Sequence, residues 1–116
     1  MGPGNEFVQL LYLDEVEDFS AVSGSRKVVI WGCPKFKDAS AFAESNYVVI
    51  GECGNLVDVS MLGKVKHLEL IGCKNIWSLK GLEGVKELIV WDCRLLENQN
   101  NTRHRAWTIC HEDEYF

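Results

Sequence analysis

The chain has 116 residues and a formal net charge of −5, from 12 Lys and Arg against 17 Asp and Glu, with a pI of about 5.1. One domain fits that length, whereas a nucleic-acid partner, which demands clustered Lys and Arg, does not fit that charge. No stretch reaches the roughly 18–20 apolar residues of a membrane helix. Residues 1–6 show no basic region leading into an apolar run, and Glu6 replaces the Ser or Thr of a myristoylation signal, so a cytoplasmic protein without a membrane partner is expected.

Taken in order, the chain falls into units of twenty residues that align without a gap. They start at Arg26, Asn46, Lys66, Lys86 and Ala106. An N-terminal unit over residues 6–25 places Val8, Leu10, Leu13, Val16, Phe19 and Val22 in the same columns. In the following units the third position reads Val28, Val48, Leu68, Leu88 and Thr108, and the fifth reads Ile30, Ile50, Leu70, Val90 and Cys110. The eighth is Cys33, Cys53, Cys73 and Cys93, and further apolar columns stand at positions eleven, fourteen and seventeen. A spacing of two predicts a short strand with one buried face. The spacing of three that follows predicts an irregular or 3-10 return arc with every third residue inward. Units that each lack a core of their own acquire one by stacking.

The stretch Val65-x-x-Leu68-x-Leu70-x-x-Cys73-x-x-Ile76-x-x-Leu79-x-x-Leu82 resembles the leucine-rich repeat consensus, with cysteine where that family more often has asparagine. The resemblance covers residues 6–96. It implies an α/β-type solenoid, with parallel β-strands on the concave face and irregular or 3-10 turns on the convex one. The short cysteine-bearing form is similar to repeats of protists, algae and their large DNA viruses, which hints at a viral source. A single domain over 1–116 is expected, with an N-terminal unit at 6–25, core units at 26–96 and a C-terminal cap at 97–116. The cap is read from Gln99, Thr102 and Arg105, polar where earlier units are apolar, followed by strand character from Ala106 to Cys110.

The cysteine column admits a disulfide ladder, a zinc site or buried reduced thiols. No C-x2-C or His-bearing spacing supports zinc, and an inward column with no secretion signal supports thiols that fill a tight corner. Asp18-x-Ser20, Asp38-x-Ser40 and Asp58-x-Ser60 form a second ladder. Such pairs cap tight turns, and a feature built three times reads as architecture rather than an active site. No nucleophile elbow, phosphate loop or zinc-protease motif is present, so neither an enzyme nor a cofactor is expected.

Function is expected on the residues that alternate with the buried strand positions. Trp31, Ile71 and Trp91 share the sixth column; Val29, Val49, Glu69 and Ile89 share the fourth; Tyr47, His67 and Glu87 share the second. A large apolar patch on such a face marks an interaction site, and aromatic residues are its usual anchors. The reading is therefore a module that binds a protein or peptide, with His67, Glu69 and Glu87 setting register. The alternative is a structural component that forms a homodimer or shell through the same face. Gly51 leaves a gap between Trp31 and Ile71, either a notch for an inserted side chain or a tight turn. Glu52, Asp92 and Glu112 put an acidic rim at the seventh position, suited to a partner with aliphatic residues flanked by Lys or Arg.

Overall fold

A computed structural model describes residues 7–93 and the backbone of 107–110. Its framework is one parallel six-stranded sheet in sequential order. The strands are β1 (Phe7–Leu11), β2 (Lys27–Trp31), β3 (Tyr47–Gly51), β4 (His67–Ile71), β5 (Glu87–Trp91) and β6 (Trp107–Cys110). A strand and the segment that returns the chain to the next strand make one level. Short 3-10 turns at Ser20–Val22, Ala39–Phe42 and Ser60–Leu62 lie in the first three returns.

From β1 to β5 each residue pairs with the one twenty positions on: Val8 with Val28, Val28 with Val48, Val48 with Leu68, and Leu68 with Leu88. The alternation of apolar residues fixes this register, because a slip of one would send the whole apolar set to the other face. The inward columns predicted from the spacing are buried throughout levels two to four. Val28, Ile30, Cys33, Phe36, Ala39 and Phe42 have no exposed surface, nor do their counterparts in level three. Among the apolar columns of level one only Phe19 is buried, while Leu10, Leu13, Val16 and Val22 pack against the core half-buried. Phe19 meets Phe36 edge-on, with ring centres 5.1 Å apart.

The last strand departs from the predicted register. Leu88 pairs with Trp107 and Trp91 with Cys110, so Thr108 and Cys110 stand one place away from the columns the alignment gave them. The reason lies in the sequence before β6: with Gln99, Thr102 and Arg105 in place of apolar residues, nothing holds the count at twenty. Of the expected cap at 97–116, the structure describes only the backbone of residues 107–110.

The Asp–Ser ladder is architectural in its geometry. Asp18, Asp38 and Asp58 each accept the backbone N–H of the serine two residues on, at 2.9, 3.0 and 2.9 Å. Ser40 and Ser60 also donate their hydroxyls, both at 2.7 Å. In level four Ser78 takes this place and accepts from the Lys80 N–H at 3.0 Å. The next residue, Gly81, has φ +93°, and this return has no 3-10 turn.

The cysteine column is buried and its four members are free thiols. Cys33, Cys73 and Cys93 reach carbonyls of the preceding strand, donating to Leu10 at 3.4 Å, Ile50 at 3.6 Å and Leu70 at 3.4 Å. Cys53 donates to the Gly51 carbonyl at 3.3 Å. Burial pushes the Cys53 thiol up to about 12. A hydrogen bond with the Cys93 sulfur, then burial, raises Cys73. Cys53 and Cys73 therefore stay protonated at neutral pH and are poor nucleophiles, whereas the hydrogen bond with the Cys73 sulfur lowers Cys93.

Two buried serines were not visible as core in the sequence. Ser25 and Ser45 occupy the column that Val65 and Val85 fill in later levels. Ser25 donates its hydroxyl to the Val22 carbonyl at 2.7 Å, and Ser45 donates to the Ser25 carbonyl. A buried hydroxyl is tolerated where it finds an acceptor.

Candidate functional site

The pairing that aligns the core also aligns the outward residues into three rows across the sheet. The sixth-position row runs Leu11, Trp31, Gly51, Ile71, Trp91, and the fourth-position row Gln9, Val29, Val49, Glu69, Ile89. The second-position row runs Phe7, Lys27, Tyr47, His67, Glu87. All ten candidate residues therefore share one face. Val29, Val49, Ile71, Ile89, Trp31, Tyr47, His67 and Glu69 are half-buried by their neighbours, while Glu87 and Trp91 stand exposed.

The gap at Gly51 is filled from within. A Cβ there would overlap Cε3 and Cζ3 of the Trp31 indole, so the ring of one level lies over the glycine of the next. Trp31 is thus partly a packing residue. Trp91, with 43% of its surface exposed, is the freer of the two tryptophans.

The seventh position holds a related arrangement. Tyr12, Gly32, Glu52, Gly72 and Asp92 all have φ between +51° and +67°, the left-handed region that costs a side-chain-bearing residue roughly 1–2 kcal/mol. The conformation recurs because it turns the amide toward the next level. Tyr12 donates to the Trp31 carbonyl, Gly32 to Gly51, Glu52 to Ile71 and Gly72 to Trp91, at 2.8, 2.9, 2.8 and 2.8 Å. From Tyr12 to Asp92 side-chain-bearing residues alternate with glycine, and Tyr12 and Glu52 each cover the glycine that follows. A Cβ on Gly32 would stand 2.5 Å from the Tyr12 ring, and one on Gly72 would stand 2.5 Å from the Glu52 carboxylate. The predicted acidic rim is accordingly engaged on this edge: Glu52 lies over Gly72, and Asp92 pairs with Lys74 at 2.8 Å. Glu112 lies outside the described residues.

At the other end of the strands, five side chains form a chain of contacts. The Lys27 ammonium lies 5.0 Å from the centre of the Tyr47 ring, within cation–π range. Tyr47 stacks on His67 with ring centres 4.2 Å apart and planes 7° from parallel. His67 then meets carboxylates on both sides, Nδ1 to Glu87 Oε1 and Nε2 to Glu69 Oε2, each at 2.7 Å. Burial pulls His67 down, but the hydrogen bonds and charges of Glu69 and Glu87 outweigh it and hold the imidazole above its ordinary 6.5. Burial, then the Glu69 carboxylate, raises the Tyr47 hydroxyl. The two carboxylates approach opposite nitrogens and so do not converge on a shared point. Among the described residues no three His, Cys, Asp or Glu side chains could hold a metal ion.

A second exposed apolar feature lies on the returns. Trp77 and Val57, 49% and 43% exposed, line a shallow cleft of about 390 Å³ with Asp58, Ser60, Ser78 and Lys80. Sequence reasoning passed over it. The signal was the twelfth column, which changes from Glu17 and Lys37 to Val57 and Trp77.

No protein family, no curated protein and no solved structure matches the chain.

Proposed function

We propose that the chain is a short solenoid of the leucine-rich-repeat kind and that its open sheet face binds a protein or peptide partner. One observation carries this reading: Ile71, Ile89 and exposed Trp91 adjoin one another on a single face. A rigid sheet presents such side chains with little ordering left to do on binding, and a tryptophan in that setting is a strong anchor. The partner's chemistry follows from the surroundings. Aliphatic side chains suit the Val49–Ile71–Ile89 area, and Lys or Arg suits exposed Glu87 and the overall charge of −5.

Selection of a displayed random peptide library on the immobilised chain tests the proposal. Enriched peptides are expected to combine aliphatic and basic residues and to lose at least tenfold in affinity toward Trp91→Ala, a change at an exposed side chain that is expected to leave the fold intact. No enrichment, or equal binding to wild type and variant, would remove the proposal. Self-association through the same face is the competing reading. It predicts a mass that rises with concentration in light scattering and falls back with Trp91→Ala.

A further inference from the structure

His67 makes two contacts that a neutral imidazole cannot make together. An uncharged ring has one N–H donor and one bare nitrogen, and an ionised carboxylate only accepts. With Glu87 Oε1 2.7 Å from Nδ1 and Glu69 Oε2 2.7 Å from Nε2, a neutral ring would set one nitrogen lone pair against a carboxylate oxygen. Both distances are in the range of charge-assisted hydrogen bonds. A proton on each nitrogen satisfies both at once.

The surroundings fix the ring in this pose. Tyr47 of β3 covers one face of the imidazole at 4.2 Å. The His67 and Glu69 side chains are only 17% and 22% exposed, whereas Glu87 is 67% exposed. The nearby charged groups are Glu69 on the same strand, Glu87 on β5, Lys27 on β2 beyond Tyr47, and Arg26 and Lys66 along a groove that Asn46 and Tyr47 also line. Lys86 precedes Glu87 in the chain. The cations oppose a charge on His67, but the two carboxylates are in direct contact with it.

We propose that His67 is an imidazolium at neutral pH, a strut that ties β4 to β5 across the open face, and that losing its proton is how that face senses pH. The proton leaves to water. The His67–Glu69–Glu87 group then goes from a net charge of −1 to −2, and one of the two hydrogen bonds becomes a repulsion that frees a carboxylate. Where the binding role proposed above holds, the freed carboxylate sits beside Ile71 and Ile89 on the partner-facing side, so a basic peptide gains affinity as the pH rises.

The test is long-range proton–nitrogen NMR of the imidazole rings of the free chain, with His67 assigned by comparison with His67→Gln. The expected result is two protonated nitrogens at pH 7 and a titration midpoint above 7. Glu69→Gln and Glu87→Gln should each lower that midpoint, since an amide removes charge but keeps an acceptor. A wild-type midpoint at or below 7, or a neutral ring at pH 7 with the proton on a glutamate, would overturn the proposal. So would a midpoint unmoved in both variants. Because no partner is involved, failure here leaves the binding proposal standing. Failed peptide selection likewise leaves the protonation state of His67 unaffected.

Discussion

The two sides of this sheet obey the same pairing and carry opposite kinds of information. On the inward side Val28, Val48, Leu68 and Leu88 share a column, as do Ile30, Ile50, Leu70 and Val90, and every one has no exposed surface. On the outward side Lys27, Tyr47, His67 and Glu87 share a row and no two are chemically alike. A stacked interior needs only aliphatic volume at a fixed spacing, so many residues serve equally well. An outward row is free of that demand, and the differences along it produce the ring stack and the two-carboxylate contact at His67. The inward side states one instruction several times, whereas the outward side states each of its instructions once.

The largest effect should come from breaking the inward side. Ile50→Ala is expected to cost about 2–5 kcal/mol in chemical denaturation, and Ile30→Ala and Leu70→Ala should fall in the same range. If one of the three cost little, the equivalence of levels would fail. Gly51→Ala comes next, because it forces Trp31 off the adjacent level. A loss of about 1–3 kcal/mol is expected, with a red shift of tryptophan fluorescence. Combining it with Trp31→Ala should cost less than the sum of the two changes, and strict additivity would refute the packing assigned to that ring. The smallest effect belongs to the turns: Asp38→Ala should cost about 0.5–1 kcal/mol. Hydrogen bonds from the Ser40 hydroxyl, then its backbone N–H, hold the Asp38 carboxyl below its ordinary 3.8. Its contribution is therefore present above that value and lost as the pH falls through the lower folded one. The gap between wild type and Asp38→Ala should close in acid, and a gap that persists there would mean the carboxylate is not what caps the turn.

The parallel sheet, its twenty-residue register through β5 and the inward columns were legible in the sequence because apolar spacing is a direct image of which atoms avoid water. The outward rows were legible as membership and not as contact. Spacing places His67, Glu69 and Glu87 on one face, but which carboxylate meets which nitrogen depends on rotamers that periodicity does not encode. Trp31 shows the same limit: the sequence reveals a missing side chain at Gly51 and says nothing about which neighbour leans into the space. The register of β6 was misread by one residue because beyond Leu96 the columns turn polar at Gln99, Thr102 and Arg105 and leave nothing from which to count. Trp77 stands in a column whose character changes from Glu17 and Lys37 to Val57 and Trp77, so periodicity alone gives it no weight.

The alternation at the seventh position sets a constraint on how such a chain can lengthen. Tyr12, Gly32, Glu52, Gly72 and Asp92 share one backbone conformation, yet over these five levels a bulky residue is followed by a bare one, so the period of this edge there is forty residues. Deleting one level, for example by joining Tyr12 directly to the level of Glu52, would stack a side chain where only hydrogen fits. Adding one level would leave either that collision or two bare glycines facing each other. Growth or loss by a single level brings either a collision or an uncovered glycine pair, which growth by two avoids, and the edge of the sheet thereby favours a parity of chain length that its core, with its uniform columns, does not.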